Sequence, residues 1–205
     1  MILLKRFLLV DGSTLVAFYL LCLVGDCVCF GRPLSIYIIP NKYIRAMVDN
    51  FTHGLASALA TSFLLGWTSP SLFFIGLLSG SLIDLDHFIQ IGSFSLDRVL
   101  NGKGHERPIF HNSFNLILLT LSMFLMEIFY FYRRGSIFYT EIFLFAWLTH
   151  HLRDAQRRGL TFLPFGQTAP IDYYLPLTVL MLVVMKLVHI FFFSTRQTFS
   201  NISSV

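Results

Sequence analysis

The sequence predicts an all-α protein, a polytopic membrane bundle of about six transmembrane helices. The chain has 205 residues, of which 55% are hydrophobic and only 13% are charged, whereas about a quarter of the residues in soluble domains are charged. Its mean hydropathy is +0.69. Apolar windows recur that are long enough to cross about 30 Å of hydrocarbon, where a helix satisfies every backbone polar group.

Six apolar segments follow one another along the chain. The first, 7–29, begins like a signal peptide after Lys5 and Arg6, but Asp11 interrupts it and no small-residue cleavage site follows cleanly, so we interpret it as a membrane helix. The others span 52–67, 70–91, 111–132, 136–154 and 173–193. Gly, Pro, Lys and Arg mark the stretches between them. We expect one integral membrane domain over 1–195 and a disordered tail over 196–205.

Charge and cysteine content narrow the classes of function. The formal charge of +4 comes from Lys and Arg residues in loops between apolar windows, so the predicted partner is the lipid bilayer and not nucleic acid. The three cysteines all lie at the end of the first segment. Their spacing is not that of a disulfide framework or of a zinc knuckle, and we treat them as small apolar residues.

The stretch 80–88, Gly-Ser-Leu-Ile-Asp-Leu-Asp-His-Phe, places two carboxylates and an imidazole at the end of an apolar run. An Asp near the centre of a membrane helix costs roughly 2.5 to 3.5 kcal/mol, so such residues are candidates for function. On a helix, Asp84 and His87 share a face and Asp86 points roughly opposite Asp84. Asp86 is therefore a candidate to reach a second metal ion or to act as a general base.

Alternate crossing of the six segments brings four segment ends to one side of the membrane. These ends carry His and Asp side chains, which suit zinc, manganese or iron, with zinc as the expected ion. Helical bundles build metal sites in this way, from side chains on facing helices. The predicted metal ligands are His53, Asp84, Asp86, His87, His111, His150 and Asp154. More Lys and Arg residues lie in the loops on this side, which predicts that it faces the cytosol.

Structural interpretations of the same residues stay open at this stage. Asp84 and Asp86 can instead pair with Arg107 or Arg153 in an ion-pair network. Histidines at helix ends also serve as hydrogen-bonding residues at the membrane interface, and we assign His105 and His189 no other role. A transporter that moves a cation or proton along the carboxylates is a third interpretation. The central parts of three segments lack polar residues, which disfavours a continuous path.

Five motifs carry a resemblance to a known family. They are Arg-Ala and Asp-Asn within 45–50, Ile-Asp-Leu-Asp-His-Phe at 83–88, Arg-Pro with the following His at 107–111, Thr-His-His-Leu-Arg-Asp at 149–154 and Pro-Phe-Gly at 164–166. The chain resembles the transmembrane protein 267 family over most of its length, because the motifs occur in the same order and at approximately the same spacing. The resemblance implies a transmembrane protein.

A more distant similarity is to bacterial inner-membrane proteins grouped as membrane-bound metal-dependent hydrolases. Their pattern has an early His, then Pro-Asp-Ile-Asp-His, Arg-Gly-x-Thr-His-Ser and Ser-His-x-x-x-Asp. The ligand-type residues are kept in this chain, whereas Ile83, Pro108, Phe110 and Asn112 replace the Pro, Gly, Thr and Ser of that pattern. The similarity implies a divalent metal at one membrane face and hydrolysis of a phosphoester, such as that of a phospholipid.

Three residues receive catalytic roles under this similarity. Asp86 would bridge metals or activate water, and Arg107 and Arg153 would bind phosphate oxygens in bidentate fashion. The alternative is a non-catalytic membrane scaffold or assembly protein whose layer of His and Asp residues is structural.

Overall fold

The computed structural model describes residues 7–31, 38–67, 69–101, 107–127, 129 and 138–202, and these residues are mostly helical. The predicted all-α class is therefore confirmed. The described strands are β1, Thr161–Phe162, and β2, Gly166–Gln167, which pair antiparallel with Thr161 opposite Gln167. His105, to which the sequence assigned no special role, lies outside the described residues.

The helices follow one another with short connections. A π-helical turn, Phe7–Asp11, leads into α1, and 3₁₀ turns at Ile83–Leu85 and Ile109–His111 precede α4 and α6. The helices are α1 Gly12–Phe30, α2 Lys42–Leu65, α3 Pro70–Leu82, α4 Asp86–Ile91, α5 Leu96–Asn101, α6 Ser113–Met126, α7 Phe138–Arg158 and α8 Tyr174–Ile202. Helix α8 continues past Arg196, into the segment for which the sequence predicts a disordered tail.

Helices α2 and α7 occupy the centre of the bundle. Helix α2 packs against α1, α3, α7 and α8, and α7 also contacts α3 and α6. One apolar cluster includes Phe18, Phe63, Phe145 and Leu182, and a smaller one joins Trp147 to residues from the end of α3 and from α6. The two helices that carry His53, His150, Arg153 and Asp154 are thus packed against several other helices.

Small residues let α2 and α3 approach closely. A Cβ atom added at Gly80 would lie 2.2 Å from the Ser57 hydroxyl oxygen and 2.8 Å from the carbonyl oxygen of His53. One added at Gly76 would lie 2.6 Å from the Thr61 hydroxyl oxygen. Small residues at helix contacts are typical of membrane bundles. This contact holds the backbone of His53 beside the end of α3, where the motif at 83–88 begins.

Two stretches, Leu9–Phe30 and Pro70–Ile91, are long and apolar enough to cross a membrane by length and composition; each has 22 residues. Two more apolar helical stretches, Ser113–Met126 and Tyr174–Ile190, are shorter. The prediction of about six crossings is therefore not confirmed within the described residues. Helices α2 and α7 are less apolar because they carry the ionisable residues, which lie against protein in the bundle interior.

Candidate metal centre

Six of the seven predicted metal ligands converge on one place in the bundle. Their nitrogen and oxygen atoms form three overlapping groups, and the atoms of each group lie within 4.8 Å of one another. Helix α2 supplies one member, the turn 83–85 and α4 supply two, the turn 109–111 supplies one and α7 supplies two. The groups are His53, Asp84 and His150; Asp84, His87 and His111; and His111, His150 and Asp154.

Three of these atoms form a nearly equilateral triangle at the centre. Asp84 Oδ1 lies 3.3 Å from His111 Nε2 and 3.4 Å from His150 Nε2. The two Nε2 atoms are 3.2 Å apart. Zinc binds nitrogen and oxygen ligands at about 2.0 to 2.2 Å, which separates the ligands of a tetrahedral site by about 3.3 Å. The triangle therefore has the size of one face of a zinc tetrahedron.

Hydrogen bonds behind the two imidazoles fix which nitrogen faces the triangle. His150 Nδ1 donates to the carbonyl oxygen of Gly80 at 3.1 Å, and a carbonyl oxygen can only accept. His111 Nδ1 lies 3.1 Å from Asp86 Oδ2. Each Nε2 therefore has its lone pair available toward Asp84, as in metal-binding histidines held by a partner on the other nitrogen. Three acceptor atoms this close require a proton or a metal ion among them.

Without a metal ion, a proton is favoured on His111, which precedes the apolar helix α6. Burial disfavours its charged form, but the hydrogen bonds with Asp84 and Asp86 outweigh burial and raise the pKa of the imidazole to about 9. The site is thus built to keep one positive charge between its carboxylates.

The remaining ligand-type atoms surround the triangle at longer range. Asp154 Oδ2 lies 3.7 Å from His111 Nε2, and Asp154 Oδ1 lies 3.6 Å from His53 Nε2. The ring of His53 stacks on that of His150 with centroids 3.8 Å apart. His87 Nε2 lies 3.9 Å from Asp84 Oδ1. These separations exceed hydrogen-bond length, and they are in the range that a shared cation bridges.

Asp86 lies behind His111, apart from the three groups. Its Oδ2 accepts hydrogen bonds from the backbone N–H of Phe110 at 2.7 Å and from His111. The sequence predicts Asp86 as a metal ligand and general base, because a continuous helix would turn it away from Asp84 toward another partner. In the structure the turn Ile83–Leu85 packs against the turn Ile109–His111. Asp86 instead orients the imidazole of His111.

The two arginines with predicted catalytic roles differ in position. Arg153 is 2% exposed, its Nε donates to Asp26 Oδ1 at 3.0 Å, and its Nη1 lies 2.6 Å from Asp49 Oδ1. The hydroxyl of Tyr174 also donates to Asp26. Arg153 is therefore engaged in a buried ion-pair network that joins α1, α2 and α7.

Arg107 stays beside the candidate centre. Its Nη1 lies 3.6 Å from Asp154 Oδ2, and its Nη2 donates to the carbonyl oxygen of Gly159 at 3.1 Å. Burial lowers the pKa of its guanidinium somewhat, against the effect of Asp154, which raises it. A guanidinium at this position leaves the carboxylate of Asp154 partly neutralised.

Two residues at the centre were not singled out from the sequence. Asp49 precedes His53 by one helical turn, with Oδ1 3.8 Å from His53 Nε2. Arg157 follows Asp154 by three residues, forms an ion pair with it and covers the ring of Phe30 at 3.9 Å. Spacings of three and four residues on a helix are the signal that identifies such pairs.

Two other histidines have different partners. The hydroxyl of Ser113 donates to His151 Nδ1 at 2.9 Å, and His151 Nε2 donates to the carbonyl oxygen of Phe110. His189, on α8, lies 3.0 Å from Glu141 Oε2. Both nitrogens of His151 are used in hydrogen bonds, so it fixes the start of α6 against α7 and leaves no lone pair for an ion.

A cavity of about 470 Å³ opens onto the candidate centre. Asp84, His87 and Asp154 line it together with cationic side chains and an apolar wall. The cations are Lys42, Arg45, Arg157 and Arg158, and the apolar part includes Phe88, Ile91, Leu96, Val99 and Leu100. Its volume falls within the range of small-molecule sites.

Comparisons with known proteins decide the family. A mouse protein named Transmembrane protein 267 is 34% identical over 189 residues, which are 88% of this chain and 83% of the relative. The chain belongs to the transmembrane protein 267 family. The cattle member is 30% identical over 191 residues, which are 89% of this chain and 84% of the relative. The zebrafish member is 35% identical over 147 residues, which are 70% of this chain and 65% of the relative.

Membership of this family supports a location in a membrane and confirms the first resemblance seen in the sequence. No family model matches the chain, and no solved structure matches it. The similarity to metal-dependent hydrolases is not shown by these comparisons. What the chain does therefore has to be argued from its own site.

Proposed function

We propose that this protein is a multi-pass membrane protein that binds a divalent metal ion and hydrolyses a phosphoester of a lipid. Zinc is the expected ion. The observation that supports the proposal best is the triangle of Asp84 Oδ1, His111 Nε2 and His150 Nε2, with edges of 3.2 to 3.4 Å. Manganese and iron accept the same ligand types. The ligands in the proposal are His53, Asp84, His87, His111, His150 and Asp154.

The residues around these ligands divide into positioning and binding groups. Asp86 and the carbonyl of Gly80 hold the two central imidazoles in one tautomer. Arg157 lines the cavity, and with Arg107 it provides the positive charge that phosphate oxygens require. Arg157 takes over the role that the sequence suggested for Arg153. A bound divalent ion would supply hydroxide near neutral pH, because it lowers the pKa of a water bound to it.

The experiment that tests this function uses the full-length protein in lipid nanodiscs, loaded with zinc. We expect phosphate release from lipid phosphoesters by the wild type and at least a hundredfold slower release by Asp84→Asn. Asp172→Asn, which changes an exposed carboxylate outside the three groups of ligand atoms, is the matched control and keeps the wild-type rate. Equal release by wild type and Asp84→Asn would remove Asp84 from catalysis.

The arrangement in the membrane is part of the proposal: about six crossings, with the metal centre at the cytosolic side. Phe94, in the loop before α5, is 99% exposed and close in sequence to the cavity wall. In intact cells, Phe94→Cys should resist a membrane-impermeant maleimide until the membrane is permeabilised, with the wild type measuring the labelling of native cysteines. Labelling of intact cells would reverse the orientation.

A second candidate function is that of a non-catalytic scaffold, and one observation favours it. The network of Arg153, Asp26 and Asp49 joins three helices without any ligand, so part of the polar layer is structural. Under this alternative the purified protein contains no zinc, manganese or iron above background. His150→Ala would then lower the Tm through lost packing and hydrogen bonding with no change in metal content, whereas the hydrolase proposal expects loss of bound metal.

A further inference from the structure

We infer that the phosphoester recognised at this site carries an apolar chain, and that α5 forms the wall against which this chain lies. The inference rests on the proposed function for the identity of the reacting group. It adds the substrate class, an anionic amphiphile whose apolar chain enters the cavity, and assigns chain recognition to Leu96, Val99 and Leu100.

The cavity has two chemically different kinds of lining. The polar lining includes His87, four cationic side chains and the carboxylates of Asp49, Asp84 and Asp154. The hydrocarbon lining comes mostly from α4 and α5. The four cations outnumber the three carboxylates, so an anionic group is favoured even before a divalent ion is added. A purely polar phosphoester would leave the hydrocarbon lining in contact with water.

The sequence of α5 explains its part of this hydrocarbon lining. Leu96, Val99 and Leu100 are spaced by three and four residues, which places them on one face of the helix. All three line the cavity and are half-buried. As half-buried cavity residues they keep apolar surface open toward the cavity, and a ligand can cover this surface.

The opposite face of α5 is attached to α2. Asp97 Oδ1 accepts hydrogen bonds from the Tyr43 hydroxyl at 2.6 Å and from Lys42 Nζ at 3.2 Å. Lys42 Nζ also donates to Asn101 Oδ1 at 2.8 Å, and Asn101 donates back to Asp97. This network holds a helix of only six residues in a fixed position across the cavity. The apolar face is therefore presented toward the metal centre by contacts of its own.

Exposed apolar side chains adjoin the wall. Ile89 lies between two residues that line the cavity, Phe88 and Gln90, and is 69% exposed. Phe94, two residues before α5, is 99% exposed. Ile89 belongs to the apolar stretch Pro70–Ile91, and its exposed side chain can contact lipid, which would let an amphiphile enter the cavity from the bilayer with its charged end toward the metal centre.

The test measures binding of two non-hydrolysable probes, methylphosphonate and hexylphosphonate, to the full-length protein in nanodiscs by calorimetry. Burial of each methylene contributes about fourfold to affinity, so we expect hexylphosphonate to bind at least about tenfold more tightly. Leu100→Ser should reduce this preference to about threefold or less and leave methylphosphonate affinity unchanged. Leu100→Met, which keeps the apolar surface, should retain the preference and shows that α5 tolerates substitution.

Phe94→Ser is the matched control, because it removes an exposed apolar side chain that does not line the cavity, and it should keep the preference. Equal affinity for the two probes in the wild type, absence of binding, or an unchanged preference in Leu100→Ser would overturn the inference. A parallel assay of methyl phosphate and hexyl phosphate hydrolysis separates the two proposals. Chain-dependent binding without hydrolysis refutes only the hydrolase, whereas hydrolysis with equal kcat/KM for both esters refutes only the apolar wall.

Discussion

The Nε2 atoms of His111 and His150 face each other at 3.2 Å, although the Nδ1 atom of each ring is already committed to an acceptor. Two lone pairs at this separation repel unless a positive charge lies between them. The charge is either a proton on His111 or a metal ion, and both are stabilised by the carboxylate of Asp84. The chemistry of the site follows from this competition.

Metal affinity should therefore depend on pH. The pKa of His111 is raised to about 9, so its imidazole is protonated below that pH and a metal ion must displace the proton. Between pH 6 and 8 we expect zinc affinity to increase by about tenfold per pH unit, because binding releases about one proton. Competition with a chelating dye measures it. Affinity that stays constant over this range would contradict the assignment of the proton.

Substitution of Asp86 should weaken metal binding without abolishing it. Asp86 accepts from His111 Nδ1 and from the Phe110 N–H, and loss of such a partner lowers metal affinity about 10- to 100-fold. Asp86→Ala should show this loss. Asp86→Asn, whose amide oxygen still accepts, should lose less. Complete loss of metal in Asp86→Asn would indicate that the carboxylate binds the ion directly.

The contact between α2 and α3 should control both stability and metal content. A Cβ atom at Gly80 meets Ser57 Oγ at 2.2 Å and the His53 carbonyl at 2.8 Å, so Gly80→Val has to separate the helices. Such overpacking costs about 1 to 3 kcal/mol, and we expect a lower Tm and loss of bound metal. Leu78→Val, at an exposed position on the same helix, is the control.

Helix separation at Gly80 is tested further by combining Gly80→Val with Ser57→Gly, which removes the nearest obstructing atoms. We expect the double variant to recover part of the lost Tm. No recovery would place the strain at the backbone of His53 instead. An unchanged Tm in Gly80→Val alone would contradict the close approach of the two helices.

Arg153→Met should lower the free energy of unfolding, whatever its effect on activity. Removal of the guanidinium takes its partner from the buried Asp26 and from the half-buried Asp49, and breaking a buried ion pair costs about 3 to 5 kcal/mol. Thermal unfolding in detergent measures the change, and Arg158→Met, at an exposed position, should leave the Tm unchanged. Full stability together with lost hydrolysis would restore the catalytic role predicted from the sequence.

Much of the candidate site could be predicted from the sequence because the level of each residue in the bundle follows from the direction in which its segment runs. Segments that alternate in direction bring the start of one and the end of the next to a common level, and His53, Asp84, His111 and His150 do meet. Spacing on a helix also predicted that Asp84 and His87 share a neighbourhood. These conclusions need no knowledge of which helices touch.

Other features depended on contacts that the sequence does not encode locally. Asp86 meets His111 because the turns Ile83–Leu85 and Ile109–His111 pack against each other, and this contact joins two distant parts of the chain. Arg153 turned away from the centre because Asp26, 127 residues earlier, lies beside it. The number of membrane crossings beyond the two stretches found in the described residues stays a prediction, since apolar helices enclosed by protein have the same composition as helices that face lipid.

The most direct measurement of the central claim is X-ray absorption spectroscopy at the zinc edge on purified protein, combined with metal analysis. We predict about one zinc ion per chain, bound by nitrogen and oxygen at about 2.0 to 2.1 Å with the scattering pattern of imidazole. In His150→Ala the signal should be lost, and in His189→Ala it should remain. Absence of stoichiometric metal in the wild type, or a sulfur-bound ion, would contradict the account.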